Sequence, residues 1–459
     1  MGSPASSARA IAVGAAAVEG TARAVASFSS AAPSPLSLRL KPEVTAPGVA
    51  ILSSVPRSPG VSGTGWEIVS GTSMAAPHVA GAAALLVQRH PEWTVEQVKG
   101  ALVATAVPIR GAPVAAQGSG MIDVAAASAP LIFAQPNAIS FGVARPRQLV
   151  RANVRLADAG GGAGVWSATV VGERGGRTQL TVQVPGTLVV STRAPAGEGA
   201  TGGFVELRRE GQVRRIPFWL VVARPDLPRP AATIRRAGSY RGSTLGRRST
   251  VRRYRFLDLP RQALDGPEQV VRFVLRRNAA NLGVAVTSAA GVEPRIVRAA
   301  NENRLAGATA LPINANPYHA AFERRVPIAA VLRPRRGVYD FVFDSRRRGA
   351  AFTFRVWVND RTPPRARLVS STAAGGIVRV RVSDAGSGID ATSLTAAIGT
   401  RRLPITLIRG IANVDVRELR PGTYVLAFQV SDRQEAKNNE NVAGVLPNTR
   451  RLRATIRVP

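Results

Sequence analysis

Between residues 75 and 87 nearly every position is small or apolar, His78 being the main exception. A run so rich in Ala and Leu favours a helix, and its spread of apolar positions predicts burial on nearly every side. A Gly-Thr-Ser turn at residues 71–73 feeds straight into it. A second helix is signalled by Thr94, where Gln97 three residues on completes a capping box. That helix is expected over 95 to about 104, with Trp93 as an apolar staple before it, and a third small helical piece is expected over 123–129. Upstream, residues 10–15 read as a short apolar strand, followed by a turn at 19–20 and a second strand over 22–28. Two prolines and a glycine between 42 and 48 argue for an extended loop and against a strand interior. Residues 50–55 read as a brief strand, and the Gly/Pro/Ser-rich stretch 56–65 as a flexible surface loop.

From about residue 131 helical periods give way to alternating strands. Residues 181–184, 204–207 and 213–222 alternate or run apolar over strand lengths, which predicts an all-β sandwich over 131–224. Trp219, between Phe218 and Leu220, belongs to its core or to a sheet surface. A linker with three prolines at 223–230 leads to strand patterns at 252–256, 270–275, 283–287 and 352–358, a second sandwich over 231–358. Beyond a boundary at 359–364, residues 377–382, 397–398, 422–430 and 452–458 give a third, over 361–459. The predicted fold class is therefore multidomain: a partial α/β domain over 1–128, then β-sandwiches.

Composition narrows the chemistry. A chain of 459 residues accommodates about three domains of roughly 150 residues, and 45% hydrophobic content is ample for their cores. No apolar run approaches the roughly 20 residues that span a bilayer, and no basic-then-apolar leader is visible at the N-terminus. With no cysteine, disulfides, thiol nucleophiles and zinc ribbons are excluded. The net charge of +33 is almost all arginine, since Lys41, Lys99 and Lys437 are the only lysines. Such an excess raises nucleic acid as a partner. The arginines, however, are scattered through strand patterns, and the clusters at 235–236, 247–248, 252–253 and 346–348 lack interleaved aromatics. The favoured reading is solvated arginine faces with no specific nucleic-acid partner.

Ser73 stands at the mouth of the apolar helix, beside the positive end of its dipole and beside unpaired backbone N–H groups. That setting suits a nucleophile whose attack creates an oxyanion, and it equally suits a plain helix cap. The string SGTSMAAPHVAG at 70–81 resembles the nucleophile motif of subtilisin-like serine peptidases, the subtilase family. AIAVG at 10–14, SFSS at 27–30, KPEVTAPGV at 41–49, HPEWT at 90–94 and GSGMID at 118–123 agree with it in order. The resemblance covers residues 1 to about 128.

It implies a serine endopeptidase acting on protein or peptide substrates, extracellular or in the cell envelope. Ser73 would be the nucleophile, with its own backbone N–H as half of the oxyanion hole, and Thr72 a further oxyanion contact. Gly71, Met74 and His78 would be structural at the site; Glu43, where the family usually has aspartate, also reads as structural. The family's catalytic Asp, His and oxyanion Asn all precede the serine, upstream of the segment matching residues 1–6. No Asp-Thr-Gly, His-Gly-Thr or Gly-Asn segment occurs in this chain, so neither a general base nor its Asp is found. The expectation is that the chain needs a missing upstream catalytic segment and is inactive alone. Residues 1–128 by themselves should leave the apolar helix uncovered and be poorly folded or sticky.

In the β region, 131–224 resembles the fibronectin type III-like module that follows many subtilase domains, and 382–390 resembles the turn of bacterial immunoglobulin-like modules. Asp384, Ser387 and Asp390 offer oxygen ligands for calcium, but without the spacing of an EF-hand, so a solvated turn is favoured and no cofactor or metal is assigned. Two alternatives to the peptidase stay open: a catalytically dead binding scaffold of β-modules, and an arginine-rich nucleic-acid binder.

Overall fold

A computed structural model describes residues 4–34, 36–55, 65–174, 176–251, 266–288, 291–298, 300–307, 327–345, 348–434 and 447–459. The chain divides into two compact units, Met1–Arg224 and Pro225–Pro459.

In the first unit, β1 (Val13–Glu19), β2 (Ala22–Val25) and β3 (Val44–Pro47) form a sheet in the order β2-β1-β3. β1 runs antiparallel to β2 and parallel to β3. The segment expected as an extended loop at 42–48 thus contains a paired strand. Its prolines bracket the ladder and leave its middle free: Pro42 precedes β3 and Pro47 ends it, so the missing N–H groups interrupt little. On its other side, Thr45 N–H donates to Gly120 O, and Ile122 N–H donates to Thr45 O. β4 (Ile51–Ser54) pairs with β5 (Trp66–Val69), a strand the sequence reading did not place, and this two-stranded arm leaves Leu52, Trp66 and Ile68 exposed. The loop expected at 56–65 lies outside the described residues except at Gly65.

α1 (Thr72–Arg89) packs on β1 and β3. Only Ala75, Val79, Ala82 and Leu86 are buried, one stripe at helical spacing. Burial on nearly every side is therefore corrected: one wall of sheet covers one face, and Ala84, Leu85 and Val87 on the others are exposed. α2 (Val95–Thr105) starts at the expected capping box, Thr94 accepting from Gln97 N–H while the Gln97 side chain accepts from Thr94 N–H. Trp93 stacks on His90 at 3.8 Å and meets Phe133 edge-on. α3 (Val114–Gln117) and α4 (Val124–Ala127), the latter capped by Asp123, complete the region.

The same unit continues into β6 (Ile132–Gln135), β7 (Ile139–Ala144), β8 (Leu149–Asp158), β9 (Gly164–Gly172), β10 (Arg177–Val184), β11 (Gly186–Arg193), β12 (Gly199–Arg209) and β13 (Gln212–Val222). They make a five-stranded sheet, β10-β9-β12-β13-β7, and a three-stranded sheet, β11-β8-β6, around Trp166, Val154, Leu207 and Phe218. Trp219 points to the opposite face of β13 from Phe218 and is fully buried as well, where α2 packs on that strand. Hydrogen bonds join the two parts. The Glu173 carboxylate accepts from Val114 N–H (2.6 Å) and Gly202 N–H (2.8 Å). The buried Arg214 guanidinium donates to the carbonyls of Pro130 and Ala129.

The second unit holds two pairs of sheets. In the first pair, Ala232–Ile234, Glu268–Leu275, Gly337–Ser345, Val292–Arg298 and Asn301–Gly307 lie side by side in that order. Facing them are Gly238–Ser243, Ala351–Val358, Asn281–Ser288 and Ile328–Leu332, with Phe273, Phe341, Phe343, Phe352 and Phe354 in the core. The strand expected at 252–256 and His319 lie outside the described residues. In the second pair, Ile377–Ser383 and Ile411–Asp415 sit in one sheet and Gly422–Ser431 and Thr449–Val458 in the other, around Val380, Val414, Leu426 and Phe428.

The turn at 382–390 is not solvated: Ser387 and Asp390 are buried. From within the turn, Asp390 caps the short helix Ala391–Ser393, and Ser387 N–H donates to the Asp360 carboxylate. Burial, then the neighbouring Asp360 and Asp384 charges, push the Asp432 carboxyl up to about 8 against hydrogen bonds from Asn448 and Gln434.

Candidate active-site serine

The site is assembled where the segment after β3 meets the start of α1. Gly71 is the N-cap residue, in extended backbone, and its carbonyl accepts from the N–H groups of Met74 (3.0 Å) and Ala75 (3.3 Å). The N–H groups of Thr72 and Ser73 precede the first intrahelical bond and have no acceptor within the helix. Gly71 N–H donates to Gly48 O at 2.8 Å, and Ala50 N–H donates to Ser70 Oγ at 2.9 Å, so the segment after β3 is tied to the serine turn at two points. Gly48 is fitted to that junction. A Cβ there would lie 2.7 Å from Ala15 Cβ, 2.9 Å from Gly71 O and 3.1 Å from Ala75 Cβ.

Ser73 itself is exposed, and its hydroxyl has no hydrogen-bond partner among the described residues. Thr72 and Met74 beside it are half-buried. Pro77 sits one turn further along α1, and its missing N–H is the one that would bond the Ser73 carbonyl. Among the described residues the arrangement is a helix N-terminus with two backbone donors and a hydroxyl that none of them engages, a geometry that can receive an oxyanion.

No base attends it among the described residues. His78 is exposed, and its Nδ1 is 2.8 Å from Met74 O, a contact with its own helix. In this chain it is therefore not packed behind the serine. His90 is bound to Ser128 O through Nε2 (2.9 Å) and stacked on Trp93, at the far end of α1. The structure thus brings Gly71, Thr72, Ser73 and Met74 together and leaves His78 facing outward.

Just before β3 lies a group that sequence reasoning half found. Glu43 is buried and accepts from both Lys41 Nζ and Lys99 Nζ, and its second oxygen accepts from Ala12 N–H at 2.7 Å. Lys41 Nζ also donates to Ser7 O and Ala10 O, and Lys99 Nζ to Ala10 O. This knot ties residues 7–12, β3 and α2 together. Burial, opposed by the Glu43 charge, lowers the Lys41 pKa from its ordinary 10.5. The sequence carried one signal for it: two of its three lysines stand here in an otherwise arginine-based chain.

The subtilase family model matches residues 1–140. Over those residues the chain is similar to the subtilase family. Among curated proteins, the minor extracellular protease Vpr of Bacillus subtilis (strain 168) is 29% identical over 245 residues, 48% of this chain and 30% of Vpr. The subtilisin-like protease SBT4.14 of Arabidopsis thaliana is 45% identical over 93 residues, 18% of this chain and 12% of that protein. SBT3.16 of the same plant is 45% identical over 98 residues, 21% of this chain and 12% of that protein. The chain thus spans under a third of the length of these relatives. The match to Vpr takes in more of this chain than residues 1–140 supply, so part of the β-rich remainder aligns too. No helix among the described residues is long and apolar enough to cross a membrane.

Proposed function

We propose that Ser73 is the nucleophile of a subtilisin-like serine endopeptidase whose general base, aspartate and oxyanion asparagine come from a polypeptide segment other than the described residues. In that reading residues 1–128 are the C-terminal part of the catalytic domain, extracellular or in the cell envelope, acting on protein or peptide substrates. Ser73 Oγ attacks the carbonyl, an external histidine takes its proton, and the oxyanion lies against the Ser73 N–H with Thr72 beside it. Gly71 and Met74 shape the turn, and no metal or cofactor takes part. The β modules at 131–224 (fibronectin type III-like), 231–358 and 361–459 (immunoglobulin-like) are accessory.

The observation that carries this reading is the exposed Ser73 hydroxyl at a helix N-terminus, with no partner and no histidine beside it among the described residues. Without its histidine, serine catalysis falls by orders of magnitude. A fluorophosphonate probe should therefore leave the isolated chain unlabelled. Supplying the Asp-, His- and Asn-bearing segment of the catalytic domain should restore labelling and peptide hydrolysis, and Ser73→Ala should abolish both. Labelling of the chain alone that Ser73→Ala removes would sink the dependence on a second segment. A folded complex that still hydrolyses nothing favours the second reading, a non-catalytic β scaffold, for which the outward-turned His78 speaks.

A further inference from the structure

A cluster that the serine site does not use lies in the second unit. Asp360, Asp384 and Asp432 each bring one ligand oxygen to within 4.8 Å of the others. Asp360 and Asp432 are buried and Asp384 is half-buried. Asp360 stands between the two sandwiches of the unit, Asp384 follows the strand Ile377–Ser383, and Asp432 follows the strand Gly422–Ser431.

Each carboxylate is held in place by neutral donors. Asp360 Oδ2 accepts from Ser387 N–H (2.6 Å), and Asp384 Oδ2 from Gly388 N–H (2.7 Å). Asp432 Oδ1 accepts from Gln434 N–H and Asn448 N–H, both at 3.0 Å, and its Oδ2 from Asn448 Nδ2 at 2.7 Å. Among the described residues no arginine or lysine forms an ion pair with any of the three. The nearby Arg355 donates instead to the carbonyls of Gly386 and Ala385.

Three oxygens of these residues and their neighbours are buried and have no partner among the described residues: Asp360 Oδ1, Ser387 Oγ and Gln434 Oε1. Their residues are 4%, 0% and 6% exposed. Ser387 and Gln434 are the residues whose backbone N–H groups bond Asp360 and Asp432, so both residues stand beside the carboxylates. Gly386 completes the fit, because a Cβ there would lie 2.3 Å from both oxygens of Asp360.

Buried carboxylates this close repel one another, and a buried oxygen without a donor is left unsatisfied. A cation placed among them answers both. The donor set is all oxygen, with no imidazole or thiolate, which selects a hard ion over zinc. Calcium takes about six to eight oxygens at roughly 2.3–2.6 Å and tolerates irregular geometry.

We propose that Asp360, Asp384 and Asp432, with Ser387 Oγ and Gln434 Oε1 as neutral oxygens, form a calcium site that fixes the joint between the two sandwiches of the second unit. Asp360 is placed to do this. Its backbone is bound to the first sandwich by both ends of the Asn281 amide (2.7 and 2.9 Å), while its side chain faces the second. Calcium at its carboxylate links the two through one residue.

The test uses the full chain, stripped with EDTA, dialysed and titrated with calcium chloride by calorimetry. One saturable site per chain is expected, with Kd about 10⁻⁴ M or tighter, together with a higher melting temperature in calcium than in EDTA. Asp384→Asn, at the half-buried position, should weaken binding by about tenfold or more with the far-ultraviolet circular dichroism unchanged. Folded wild-type chain that takes up no calcium by about 5 mM, well above the weakest calcium modules, overturns the proposal. So does calcium binding that Asp384→Asn leaves intact. Limited proteolysis of the wild-type chain keeps the question open to test if the variant fails to fold. Calcium should slow cleavage at residues 359–364, and equal cleavage in calcium and EDTA overturns the proposal.

Discussion

α1 and α2 follow one another in the subtilase region with only residues 90–94 between them, yet they are covered quite differently. In α1, Ala75, Val79, Ala82 and Leu86 face the small sheet, and most of the remaining surface, Ala84, Leu85 and Val87 included, is open. In α2, every residue from Val98 to Thr105 is buried. By composition the order would be the reverse, since α1 is the longer apolar run. What separates them is the neighbour each one has. The sheet β2-β1-β3 offers α1 a single wall, whereas α2 is wedged between that region and β6 and β13 of the adjoining sandwich. Lys99, on α2, also reaches the buried Glu43 knot. A helix is buried by the layers around it, and its own hydrophobicity only makes that burial favourable.

The contrast can be broken at the knot. Glu43→Gln leaves two buried ammonium groups without their carboxylate and should destabilise the first unit by about 3–5 kcal/mol. Urea denaturation reads this, and a loss under about 1 kcal/mol would mean that the knot does not anchor α2. Leu102→Ala in α2 should cost about 2–5 kcal/mol, while Leu85→Ala in α1 should stay within about 0.5 kcal/mol. Equal losses would show that the bare face of α1 is covered in solution.

The knot should also show in the pH dependence. Lys41 has a folded pKa below its ordinary 10.5, so the unfolded chain binds the proton more tightly in the interval between the two values. Its contribution is complete above 10.5 and is lost as pH falls through the lowered value. The first unit should therefore gain stability as pH rises toward 10.5, and Lys41→Met should remove that gain. The smallest effect is expected from Leu85→Lys and Val87→Lys combined. Stability should change by under about 1 kcal/mol, while self-association on size exclusion declines because an exposed apolar patch is gone.

Much of the subtilase region was legible in the chain. The serine turn, the capping box at Thr94 and Gln97 and the small helix after residue 123 are local devices, set by residues within a turn of one another, and all appear where the residues put them. β3 was not legible. Val44–Pro47 carries proline, and only its parallel pairing to β1 on one side and its bonds to residues 120–122 on the other make it a strand. The same holds for the turn at 382–390. Its Asp, Ser and Gly composition suggests solvent, and its burial depends on Asp360 arriving from the preceding segment.

The amino-acid sequence by itself determined the likeness of residues 1–140 to the subtilase family, because the SGTSMAAPHVAG string and its ordered neighbours are properties of the chain. It also determined that strands succeed helices after about residue 131, since a period of two is written in successive residues. Tertiary structure alone decided which apolar helix is covered, that Glu43 is shared by two lysines, and that three aspartates 72 positions apart at their extremes meet in one cluster. Those outcomes depend on which segments become neighbours in space, and burial, pairing and repulsion act at distances that the order of residues does not specify.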